Sequence, residues 1–197
     1  NQLTLPPNFL FGSLDVTNLY GNIPLLDESN QIGLITCVSN FFEQYKHEST
    51  LADLTTSDFT TLLELCLLKD TYLLEGKSYL QKSGISMGNC AAPPLAIIFM
   101  YFVEKQILDS HKDIIYWRRY IDDIFIVTTS SNYTDIVNFS NQVHPSIKFT
   151  FEQPVNNALP FLDTLVTCID NSFTFQLFIK STHSGTCLPF DSYVPIS

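Results

Sequence analysis

Three aspartates carry the chemistry this sequence offers. Asp15 closes a short apolar run, and Asp122 and Asp123 sit side by side between two runs rich in β-branched and aromatic residues, 114–120 and 124–129. An isolated acid among apolar strands is costly to bury, and two at one tip repel each other unless cations intervene. Hard divalent ions suit carboxylate oxygens and keep positions open for phosphate and water. Two such ions roughly 3.5–4 Å apart can clamp the attacking and leaving oxygens of a phosphoryl transfer. Against this stands the plain alternative that aspartates at a hairpin tip are solvated turn residues. The break between the two strands is very short and holds neither Gly nor Asn, which favours the chemical reading.

The elements that must position these acids can be read from periodicity. Residues 1–9 form an entry loop, 9–16 a strand ending near Asp15, and 20–24 a turn. From Asp27, a candidate cap, Ile32, Ile35, Val38, Phe41, Phe42 and Tyr45 recur at helical spacing. A polar stretch covers 46–56, and Ser57-Asp58 can open a second helix through Phe59, Leu62, Leu63, Leu65, Cys66 and Leu67. Strands at 71–74 and 78–81 make a hairpin around Glu75-Gly76-Lys77. Residues 83–94 read as a loop, 95–108 as a helix entered after Pro94, and 135–143 as a short helix. Further strands fall at 147–153, 161–168 and 173–180. The order β-α-α-β-β-α-β-β-α-β-β-β predicts an α+β fold, an antiparallel sheet with helices packed on one face.

The 197 residues suit one domain, 1–197, and 45% hydrophobic with 13% aromatic residues supply a core. No apolar run approaches the roughly 18–20 residues that span a bilayer. The five cysteines (Cys37, Cys66, Cys90, Cys168 and Cys187) form no C-x-x-C pair, and with His they show no zinc-site spacing. They read as reduced, mostly buried thiols of an intracellular, nuclear or cytoplasmic protein. The triplets at Asn132 and Asn138 match the glycosylation pattern by chance. Net charge is −10, from 10 basic and 20 acidic side chains, the opposite of a phosphate-gripping surface.

Five segments, in order and in register, resemble reverse transcriptases. Leu14-Asp15-Val16-Thr17-Asn18-Leu19-Tyr20-Gly21-Asn22-Ile23-Pro24 resembles the first catalytic motif, and its Asn-Ile-Pro is similar to the Penelope-like retroelement branch. Gly84-Ile85-Ser86-Met87-Gly88, with Pro93, Leu95 and Ala96 downstream, resembles the motif that meets template and nucleotide. Arg118-Arg119-Tyr120-Ile121-Asp122-Asp123-Ile124-Phe125 resembles the Tyr-x-Asp-Asp motif. Leu159-Pro160-Phe161-Leu162-Asp163 and Lys180-Ser181-Thr182-His183 resemble the segments that follow. The match runs from about Leu14 to Pro195.

The resemblance implies a palm carrying an RNA-directed DNA polymerase site. Its catalytic acids are Asp15, Asp122 and Asp123, its metal ligands these three and the Val16 carbonyl. Two Mg²⁺ ions, or Mn²⁺ in their place, are the implied cofactors. The implied partners are an RNA or DNA template with primer and deoxynucleoside triphosphates, and no membrane. Tyr20 matches the gate under the sugar, with an ordinary core aromatic as its alternative. Gly84, Met87, Gly88 and Tyr120 match substrate contacts. Lys148 and Lys180 are candidates for phosphate neutralisation, with solvated surface lysines as the plainer reading. Asn89-Cys90-Ala91-Ala92-Pro93-Pro94 departs from the usual polar residues after Met-Gly, and its second proline removes an amide donor. Fingers and thumb are expected to be largely missing, so the chain reads as a fragment of a longer protein, weak or inactive alone. The competing reading is a catalytically inactive palm acting at most as a binding module.

Overall fold

The computed structural model describes residues 5–28, 31–130, 132–182 and 185. The elements run β1 (Leu10–Val16), α1 (Leu19–Asn22), α2 (Leu34–Tyr45), α3 (Thr56–Leu68), β2 (Thr71–Leu74), β3 (Lys77–Leu80), α4 (Ala92–Ser110), β4 (Ile114–Tyr120), β5 (Asp123–Thr128), α5 (Tyr133–Val143), β6 (Phe149–Glu152), β7 (Ala158–Phe161), β8 (Thr164–Ile169) and β9 (Ser172–Leu177). A four-stranded sheet in the order β4-β5-β1-β6 is antiparallel throughout. A three-stranded sheet, β7-β8-β9, and the β2-β3 hairpin complete the strands. The α+β expectation holds.

Alternation along the strands sends side chains to opposite faces of the sheet. Leu14 and Val16 of β1, Ile124 and Ile126 of β5, Trp117 of β4 and Phe149 of β6 enter one core with Leu95, Phe99, Met100 and Val103 of α4 and Ile136 of α5. Phe11, Phe125 and Val127 point the other way and pack with Leu159 and Val166 of the three-stranded sheet. Helices therefore cover one face as expected, and the second sheet covers part of the other. Helices α2 and α3 join through stacked Phe42 and Phe59, with ring centroids 4.0 Å apart, and a Ser39–Thr60 hydroxyl bond of 2.7 Å.

Several boundaries differ from the sequence expectation, each for a local reason. Helix α2 starts at Leu34, not Asp27. The Asp27 carboxylate still serves its N-terminus from a distance, accepting the Gly33 N–H at 2.7 Å and the Thr36 hydroxyl at 3.0 Å. Thr55 caps α3, taking the Asp58 N–H at 3.1 Å. Helix α4 begins at Ala92, so Pro93 and Pro94 lie in its first turn, where amide protons have no intrahelical partner in any case. The second proline thus costs this helix no hydrogen bond. The strand expected over 161–168 is split, because Leu162 turns left-handed at φ 53°. The strand expected to reach 180 ends at Leu177. Asn132, in the first glycosylation-like triplet, caps α5 by accepting the Thr134 N–H at 2.9 Å. Thiol burial is also less than expected: Cys37 is buried, but Cys66 and Cys90 are exposed, and Cys187 lies outside the described residues. Among the described residues no helix is long and apolar enough to cross a membrane.

Candidate active site

Strand pairing brings the acids together. Asp15 is the register partner of Asp123 across β1 and β5, and the Val16 N–H donates to the Asp122 carbonyl at 3.0 Å. Alternation places Asp15, Asp123 and Tyr120 on the sheet face away from the helices. Asp122 belongs to the two-residue link between β4 and β5, so the pair does not share the tip equally: Asp123 already begins β5.

Asp15 and Asp123 line an open cleft of about 450 Å³ with Thr150, Glu152, Phe161 and Lys180. Beyond the end of β9 the chain runs along this cleft. The Phe178 N–H bonds the Asp163 carbonyl at 2.9 Å, and Phe178 and Lys180 line the cleft with the acids. Partial burial, and then the Asp122 charge, push the Asp15 carboxyl above its usual range. Asp123 is raised by burial, then by Asp122 and by Asp15, while the Lys180 ammonium opposes the rise. Asp15 and Asp123 therefore both feel neighbouring negative charge, and cationic charge in this cleft would relieve the two of them.

As ligands the residues are chemically apt, since carboxylate oxygens suit a hard divalent ion. Two of them come from directly opposed strand positions. Among the described residues, however, no group of three or more Asp, Glu, His or Cys side chains stands gathered as a metal cage. The acids are neighbours that repel, not a closed triad.

The other expected site residues fall in distinct places. Tyr20 is half-buried in α1 and packs against the main core. Its carbonyl accepts the Ile85 N–H at 2.7 Å. Gly84, buried at φ 70°, is pressed against this same turn, and a Cβ there would meet the Tyr20 carbonyl oxygen at 2.6 Å. Glycine at this position lets the 83–91 loop seat on the Tyr20-Gly21 backbone. Gly88 is open, with nothing nearer to a built Cβ than the Ser86 Oγ at 3.7 Å, and Met87 and Tyr120 are exposed at 78% and 62%. Lys148 donates to the Asn141 carbonyl at 3.1 Å and does not line the cleft, whereas Lys180 does. His183, which closes the last resembling segment, lies outside the described residues.

Sequence reasoning passed over the residues behind the acids. Arg119 bonds Glu104 of α4 through Nε at 2.7 Å and the Ile121 carbonyl through Nη1 at 3.0 Å. An arginine immediately before the tyrosine of the motif was the only signal in the sequence. Its partner lies 15 positions away on a helix, with no pattern to point to it.

No protein-family model matches the chain, and no curated protein matches it. Solved structures do. An apo telomerase from Candida tropicalis truncated from its C-terminal domain aligns at TM-score 0.62 and 16% identity, covering 88% of this chain and 36% of that one. A second apo telomerase from Candida tropicalis gives 0.65 and 11%, covering 86% and 33%. A telomerase from Candida albicans, in complex with a TWJ fragment of telomeric RNA, gives 0.60 and 15%, covering 86% and 31%. The chain spans about a third of the length of these structures. The chain shares its fold with the aligned part of these telomerase structures.

Proposed function

We propose that this chain is the palm of an RNA-directed DNA polymerase, of the Penelope-like retroelement type its motifs resemble. The observation that carries the reading is Asp15 opposed to Asp123, with Asp122 on the adjoining turn, in an open cleft of a reverse-transcriptase-like fold. In this reading a primer 3′-hydroxyl attacks the α-phosphate of a deoxynucleoside triphosphate and pyrophosphate leaves. Divalent ions, when bound, supply the charge that neutralises the attacking and leaving oxygens. Asp15, Asp122 and Asp123, with the Val16 carbonyl, are the groups that would hold them. Lys180 stands beside Asp123, where it can meet phosphate charge. In this reading the Tyr20 turn and the 83–91 loop, joined by the Ile85 N–H to the Tyr20 carbonyl, would meet sugar and template. The RNA in the Candida albicans telomerase structure agrees with a nucleic-acid partner.

A second reading, an inactive palm, draws on the acidic charge of −10 and the ungathered acids. The discriminating test is Mg²⁺-dependent extension of a primer on an RNA template by the full-length product of the gene. We expect extension, and a loss of at least about 100-fold in Asp122→Asn, the scale of removing one charge-stabilising group from a reaction centre. Equal rates in parent and variant would reject the polymerase reading.

A further inference from the structure

The turn that presents the acids is strained and is held from two sides. Tyr120 pairs with Asp123, leaving Ile121 and Asp122 as a two-residue hairpin link. Ile121 adopts φ 56°, a region disfavoured for any side chain and most of all for a β-branched one. Two-residue hairpins with positive φ at the first link position normally place glycine there. From the β1 side, the Val16 N–H fixes the Asp122 carbonyl at 3.0 Å. From the helix side, Arg119 fixes the Ile121 carbonyl at 3.0 Å.

The Arg119 guanidinium is anchored in turn. Its Nε and Nη2 reach the two Glu104 oxygens at 2.7 and 3.2 Å, and Nη2 also approaches the Ile97 carbonyl of α4 at 3.3 Å. Glu104 Oε1 further accepts the Trp117 Nε1–H at 2.8 Å. The two charged side chains are only 9% and 14% exposed. An ion pair joining β4 to α4 would need only the Nε edge; the Nη1 donor is spent on the turn.

We propose that Arg119 is a positioning residue for the acids, a planar fork that ties the left-handed Ile121 turn to α4 and so sets the aim of Asp122 and Asp123. The proposal rests on reading Asp15, Asp122 and Asp123 as the ion-binding acids. Lysine keeps the charge but not the fork, so it cannot hold Glu104 and the turn together. Glycine at 121 takes positive φ freely, so it removes the need for the clamp.

The test is Mn²⁺ binding to the 197-residue chain, followed by water-proton relaxation, with circular dichroism verifying that each variant is folded. Asp122→Asn should abolish most binding. Arg119→Lys should weaken it about tenfold, the lower end of what losing a residue behind the ligands costs. The double variant Arg119→Lys/Ile121→Gly should return to within about threefold of the parent, a non-additivity expected only if the two act on one turn. Should Arg119→Lys not fold, Glu104→Gln takes its place: weakening of about threefold or more supports the clamp, and unchanged affinity overturns it. An Arg119→Lys variant that binds like the parent while Asp122→Asn does not would overturn the proposal and leave the polymerase reading standing. A weakened Arg119→Lys that Ile121→Gly fails to restore would also overturn it, reducing the arginine to an ordinary brace. An Asp122→Asn variant that binds like the parent would remove the ion-binding reading and the proposal together.

Discussion

In the polymerase reading proposed above, Asp15 and Asp123 pull stability and function in opposite directions. Both carboxyls are raised above their usual value of 3.8 by burial and by neighbouring negative charge. A raised folded value means that the folded state prefers the protonated acid. The associated stability is present below about pH 3.8 and is lost as pH climbs through the raised values. Asp123→Asn should therefore unfold at a higher temperature than the parent at pH 7, by a few degrees, with the gap closing toward pH 3. Thermal unfolding across that range checks it, and a gap that is constant with pH would remove the repulsion argument. His144 works in a separate window. It is buried edge-on against Phe99, and that burial lowers its affinity for a proton, an effect partly offset by the Ile32 backbone. A lowered folded value gives stability that is full above about pH 6.5 and is lost as pH falls. Replacing His144 with Gln should flatten the acid side of the stability profile just below pH 6.5, measured by urea unfolding at pH 7.5 and 5.5.

Elements carry the site through two glycines that look alike in the sequence but not in the fold. Gly84 has positive φ and its missing Cβ makes room for the Tyr20 carbonyl, whereas Gly88 has ordinary space around it. Gly84→Ala should cost about 1–3 kcal/mol, the scale of a non-glycine residue forced into such a conformation, and Gly88→Ala should stay within about 0.5 kcal/mol. Chemical denaturation of the two variants decides it. Equal costs would mean that the loop does not seat on the Tyr20 turn. Much of this arrangement was legible beforehand. Apolar runs around Asp15 and around Asp122-Asp123 announced strands, residue spacing announced α2 and α3, and the apolar segment after Pro94 announced α4. The rest depended on partners distant in sequence. Nothing local signals that Asp27 reaches forward to Gly33, that Leu162 breaks a strand, or that Glu104 meets Arg119. The register that sets Asp15 opposite Asp123, rather than a residue to either side, is likewise decided by tertiary packing, because a slip of one would turn Phe11 and Phe125 out of their shared cluster.

At the scale of the whole molecule, charge sets the terms of nucleic-acid binding. The chain carries −10 overall, and of its ten basic residues only Lys180 lines the described cleft, with Arg119 spent on Glu104 and Lys148 on the Asn141 carbonyl. Affinity for a polyanion grows with the phosphates neutralised, and log affinity falls against log salt with a slope of about −0.9 for each. A cleft lined, among the described residues, by one ammonium predicts a shallow slope for a primer–template duplex, about −1, where a protein making six to ten phosphate contacts would show a far steeper one. Lys180→Ala should flatten that slope toward zero while leaving the fold intact, since the lysine is exposed and its departure opens no cavity. Titration of a fluorescent duplex at several salt concentrations measures it. A steep slope in the parent that survives Lys180→Ala would mean that phosphates are held elsewhere on the chain, and that the acids of the cleft do not face the nucleic acid at all.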